Sequence, residues 1–161
     1  MKGRVAFAVL LPLTIACDDP VLEQRASSLG PDTGSYPEGP YHRAGDPCTW
    51  CHAEGGQAES HFDLAGTVYA RADSAEPLAG VTVRLFDRGG RQLTLESNQA
   101  GNFFVDDGQL ALEFPLWVRL EYQGETTSMQ TPIFREPSCA ACHLEPRSAE
   151  SAGQVFFEED P

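Results

Sequence analysis

The sequence predicts a mainly β chain, an all-β sandwich flanked by two short segments of different character. Three observations carry this reading. Val81-Thr82-Val83-Arg84-Leu85 alternates apolar and polar residues strictly, the period of a strand with one buried face. Short runs of the same kind recur between clusters of Gly, Pro, Asn and Asp, the residues that turn a chain. Both flanks, by contrast, hold one five-residue word each, Cys48-Thr49-Trp50-Cys51-His52 and Cys139-Ala140-Ala141-Cys142-His143.

The chain opens on an export signal, residues 1–16. Lys2 and Arg4 precede an apolar run, Val5 to Ala16, that is too short to span a bilayer. Thr14-Ile15-Ala16-Cys17 resembles the bacterial lipoprotein signal, although Thr14 stands where that signal usually has Leu. The resemblance implies that Cys17 becomes the lipid-bearing first residue of the mature chain; an ordinary secretory signal is the alternative. Cysteine arithmetic favours the lipoprotein, since five Cys less two pairs leaves Cys17 alone. Residues 17–40 are rich in Pro, Gly, Ser and acidic residues without sustained periodicity, and read as a flexible tether.

Residues 41–62 form the N-terminal segment around the first word. Residues 63–131 hold the predicted strands. Phe62 to Ala70 is the first, Val81 to Asp87 the second, and Arg88-Gly89-Gly90-Arg91 the hairpin turn into Gln92 to Glu96. Asn102 to Val105 is a short strand. Phe114 to Tyr122 follows, with Pro115 expected to hold its start at a sheet edge, and Glu125 to Thr131 is the last. Residues 132–161 carry the second word and an apolar run, Val155-Phe156-Phe157, that either covers a bound group or adds an edge strand.

C-x-x-C-H is the attachment signature of c-type haem. Two thiols about one turn apart add across the two vinyl groups of a porphyrin, and the imidazole that follows reaches the iron. A lone C-x-x-C is weak, because disulfides, zinc knuckles and redox sites all use it. Here both copies carry the trailing His, in a chain with only four His, a coincidence of roughly one in a thousand by composition. The expectation is two covalently bound haem c groups, with Cys48, Cys51, Cys139 and Cys142 as thioether sulfurs. His52 and His143 are then the proximal iron ligands. Structural disulfides, or a Cys/His zinc site, are the alternatives.

The far side of each iron needs a further donor. His42 and His61 are the two spare histidines and the candidate distal ligands. Met129, the one methionine beyond the signal, is a weaker distal candidate that otherwise fills core space.

Two resemblances extend this reading. His42-x-Ala44-Gly45-x-x-Cys48-x-x-Cys51-His52 resembles the opening of a group of exported bacterial haem proteins in which a cytochrome segment precedes a β-domain. Gly66-x-Val68, Pro77-Leu78-x-Gly80-Val81-x-Val83, Asn98-x-x-Gly101-x-Phe103 and Val118-x-Leu120 are similar to the carboxypeptidase regulatory-like domain family. That likeness covers about residues 64–123 and implies a transthyretin-like or Ig-like sandwich of about seven strands, serving as a scaffold without catalytic residues.

Charge narrows the partners. Beyond the signal the chain has no lysine and two cations fewer than in full, so the net charge falls from −13 to −15. Nucleic acid is excluded as a partner for such a surface, whereas basic-faced redox proteins or other cytochromes suit it. Membrane contact is expected through the lipid anchor only, in the periplasm or outer cell envelope. The function expected is that of a dihaem c-type cytochrome relaying electrons, a carrier rather than an enzyme. A surface binding module with C-x-x-C disulfides or a metal site, and a haem sensor or enzyme with one open iron, are the other classes. No Ser-His-Asp arrangement, phosphate loop or paired-carboxylate signature points to hydrolytic chemistry.

Overall fold

The computed structural model describes residues 19–36, 38–72, 75–144 and 147–157. The expected export signal and Cys17 lie outside the described residues, as do Asp73 and Ser74 of the expected turn.

The chain is mainly β, with two antiparallel sheets, an arrangement compatible with a β-sandwich. Six strands run in order: β1 (Phe62–Thr67), β2 (Thr82–Phe86), β3 (Gln92–Glu96), β4 (Asn102–Asp106), β5 (Trp117–Tyr122) and β6 (Glu125–Ser128). β1 pairs with β4 in a two-stranded sheet, and β3-β2-β5-β6 form the second. Each strand lies within its expected run except β4, which continues one residue past Val105 to Asp106. Along β2, Val83 and Leu85 are fully buried while Thr82, Arg84 and Phe86 are half-exposed, as a period of two requires. β5 begins at Trp117, two residues past Pro115, and lies between β2 and β6 rather than at an edge. A ladder position needs an N–H that Pro lacks, so the strand starts after it.

The core sits between the sheets. Leu64, Phe103 and Val105 of β1 and β4, with Val68 just beyond β1, meet Val83, Leu85 and Leu120 of β2 and β5. Leu112, Leu116 and Phe157 belong to the same buried cluster. At the β2–β3 hairpin, Asp87 accepts hydrogen bonds from the Arg91 main-chain N–H at 3.0 Å and the Arg91 guanidinium at 2.7 Å. The C-terminal run Val155-Phe156-Phe157 pairs in parallel with Tyr69, as an added edge does. The Tyr69 N–H donates to Val155 O, and the Phe157 N–H donates to Tyr69 O, both at 2.9 Å.

One element stands where the sequence suggests only a tether. Helix α1 spans Pro20–Ser28. Asp19 caps it, its carboxylate accepting from the Val21 N–H at 2.8 Å, and Pro20 occupies the first turn. A polar composition hid these start signals. Helix α1 packs against the first word, where the Arg25 guanidinium lies 5.7 Å from the Trp50 ring centroid.

Candidate functional site

Both five-residue words fold into the same turn. In the first, Pro47 is buried, Cys48 opens helix α2 (Thr49–His52), and the Cys51 and His52 N–H groups donate to Cys48 O at 3.1 and 2.9 Å. In the second, Cys139–Ala141 forms a 3-10 turn, and the Cys142 and His143 N–H groups donate to Cys139 O at 3.2 and 3.0 Å. One turn of chain thus separates the two cysteines of each word, with the histidine following.

The imidazoles are held alike. His52 Nδ1 lies 2.8 Å from Ser60 O, and His143 Nδ1 lies 2.9 Å from Gly153 O. A carbonyl only accepts, so each Nδ1 carries the hydrogen, and in the neutral ring each Nε2 keeps its lone pair. A metal-binding imidazole needs this arrangement, one nitrogen tied to a carbonyl and the other open. His52 is further fixed by a stack, its ring 4.3 Å from Phe62, which lies 4.7 Å from Phe104. Burial lowers its basicity; the Ser60 bond opposes this, and neighbouring His42 and His61 add to it, so the neutral form is favoured.

Burial also holds the Cys48, Cys51 and Cys139 thiols in their neutral form. All four cysteines of the two words are free. Burial pushes the Cys48 thiol up to about 11 and the Cys139 thiol up to about 12, and raises Cys51 too. Catalytic C-x-x-C pairs depend on a depressed thiol, so disulfide-exchange chemistry is disfavoured here. Among the described residues, no group of three or more Cys, His, Asp or Glu is gathered to hold a metal ion, whereas a closed zinc site takes four.

His42 comes to the first word from outside it. Its ring centroid lies 5.7 Å from that of His52. That is close to the roughly 6 Å expected for two imidazoles facing one metal, each through a bond of about 2 Å. Its Nδ1 is engaged by Gly39 O, which leaves Nε2 open, as in the other two rings. The strap that carries it is clamped by Asn102, whose Nδ2 donates to His42 O at 3.1 Å and Pro40 O at 3.3 Å, and by Asn98, which donates to Pro40 O at 2.6 Å. Arg43, next in the chain, has φ +49, a left-handed conformation that costs energy for a non-glycine residue. It is held there by an ion pair to Asp46 at 2.8 Å and a hydrogen bond to Gly30 O at 2.6 Å. Gly45 then passes so close to the Tyr69 hydroxyl that a β-carbon would collide with it, and its φ of +90 suits only glycine.

His61 also belongs to the first word, following the Ser60 whose carbonyl holds His52 and influencing His52 electrostatically. Met129 lies at the end of the four-stranded sheet. It continues the β6 ladder with its N–H on Val118 O at 3.0 Å.

The two words meet on β1. The Gly45 N–H donates to Thr67 Oγ1 at 2.9 Å, which fastens the first. Ser138 bridges in parallel to Ala65, and Cys139 lies directly against Gly66, which fastens the second. Cys48 and Cys139 are near enough that charge on one is felt by the other. Sequence reasoning named the ten chemistry-bearing residues but missed Ser60, Gly153, Asn98 and Asn102. Asn98 already stood in a quoted motif; carbonyls carry no signal in residue type at all.

No protein-family model matches the chain, and neither a curated protein nor a solved structure matches it significantly.

Proposed function

We propose that this chain is an exported dihaem c-type cytochrome that relays single electrons at the cell envelope, anchored by lipid on Cys17. The observation that carries the reading is the repeated imidazole geometry. Both words end on a histidine whose Nδ1 is tied to a main-chain carbonyl, with Nε2 left as an open donor. The donor set suits haem c. Each thiol of Cys48, Cys51, Cys139 and Cys142 would add across a vinyl double bond, its sulfur bonding one carbon and its hydrogen going to the other. His52 and His143 would each ligate one iron, and His42, beside His52, would be a further ligand at the first word.

The haem would supply reversible one-electron chemistry. The chain's residues would tune it. Burial of His52 and the carbonyl-held imidazoles of both words would set ligand strength, and Phe62, stacked on the His52 ring, would keep it from turning. The shared seat on β1 favours passage of an electron from one word to the other without a large protein gap between them. The sandwich would then be a scaffold of the carboxypeptidase regulatory-like kind. The acidic surface would steer the protein to a basic face on a redox partner.

Acid–acetone extraction of protein matured with the cytochrome c attachment machinery tests this. Covalent haem stays with the polypeptide and gives a c-type pyridine haemochrome at two per chain. A colourless polypeptide after extraction refutes the proposal.

A further inference from the structure

We infer that the fold shares its imidazoles three to one between the two words, so that His143 offers a haem one ligand and the opposite position takes a small neutral external ligand. This rests on the haem reading of the preceding section and deepens it. All four histidines of the sequence fall within the described residues, so the distribution can be followed completely. The His42 ring centroid lies 5.7 Å from that of His52, and the Asn98 and Asn102 clamp holds its strap. His61 is fixed on the same side, its carbonyl accepting from the Asp107 N–H at 3.0 Å at the end of β4 and its neighbour Ser60 bonded to His52.

The surroundings of His143 differ in kind. Its Nδ1 takes Gly153 O, Ser151 Oγ donates to Cys142 O at 3.2 Å and to Leu144 O, and the Ala152 N–H donates to Cys142 O at 2.9 Å. These contacts shape the loop on the side of the ring away from its open nitrogen. The chain's remaining soft donor, Met129, is held on Val118 in the four-stranded sheet, whereas the second word packs on β1 of the other sheet. The one lysine, Lys2, lies in the export signal.

An iron with two strong imidazoles has no room for a further ligand, and one with a single imidazole does; that difference separates electron transfer from ligand binding. The chemistry of the ligand follows from charge. A chain carrying −15 beyond its signal repels anions, so a neutral π-acceptor such as a diatomic gas is the class that fits.

Carbon monoxide is the probe. The matured protein, its haem content fixed at two per chain by pyridine haemochrome, is reduced with dithionite and titrated while the Soret band is followed. The expected end point is one carbon monoxide per chain. The double substitution Cys139→Ser with Cys142→Ser should remove that binding together with one haem. An end point of none or of two in the unsubstituted two-haem protein overturns the inference, as does binding that survives the double substitution. A haem content of zero fails the cytochrome reading itself and is recognised before any gas is added.

Discussion

Gly66 is where the sandwich and the second word depend most closely on each other, and Gly66→Ala tests that dependence. A β-carbon at this position would stand 2.7 Å from Phe103 Cζ and 2.8 Å from both Cβ and Sγ of Cys139. Ordinary contact begins at 3.4 Å, so the new atom falls short by 0.7 and 0.6 Å against two unlike neighbours. Phe103 is a buried core residue and Cys139 Cβ is anchored to a 3-10 turn, so neither can withdraw without moving what it packs against. Overpacking of this kind costs about 1–3 kcal/mol. Because φ at Gly66 is not positive, the cost is contact alone and no backbone strain adds to it. Equilibrium denaturation in urea should show that loss, and haem analysis should show the second word filled less completely than the first. A Gly66→Ala protein with unchanged stability and two full haems would refute the claim that Cys139 is seated on β1.

Three further outcomes are expected. Asn102→Ala removes the donor to Pro40 O and His42 O and the acceptor of the Thr67 hydroxyl at 2.7 Å, and should cost about 1–3 kcal/mol in urea denaturation; a smaller loss means that the strap holds itself. Burial raises the Asp87 carboxyl, but the Arg91 amide, guanidinium and charge outweigh it and hold the group below its usual range. Its contribution is thus present above the unfolded value of about 3.9 and lost as pH falls through the folded one, so Asp87→Asn should destabilise at neutral pH, with the deficit shrinking in acid. A deficit constant across that range contradicts the assignment. Finally, two haems seated on one strand should give a bisignate Soret circular dichroism band that collapses when Cys48 and Cys51 are replaced by Ser; a single-signed band in the two-haem protein places the groups apart.

The strands were legible because alternation is a local property. Val83 and Leu85 turn inward between half-exposed neighbours wherever β2 pairs, so residue type alone located them. The two words were legible for the same reason, being contiguous. Their meeting on β1 was not, since it depends on Ser138 bridging to Ala65 and Gly45 bonding to Thr67 across long stretches of chain. The two spare histidines could be counted in the sequence, but only the Asn clamp and the Ser60 carbonyl show that both lie beside the first word. Helix α1 was overlooked because its polar composition outweighed the Asp19-Pro20 start, and its packing on Trp50 is tertiary.

The central claim is that porphyrin is bonded to this polypeptide at both words, and intact-mass spectrometry of the matured protein tests it most directly. The account predicts the mass of the processed chain with its lipid plus two haems, falling by one haem when either cysteine pair is replaced by serine. A mass equal to the amino acids and lipid alone would contradict it.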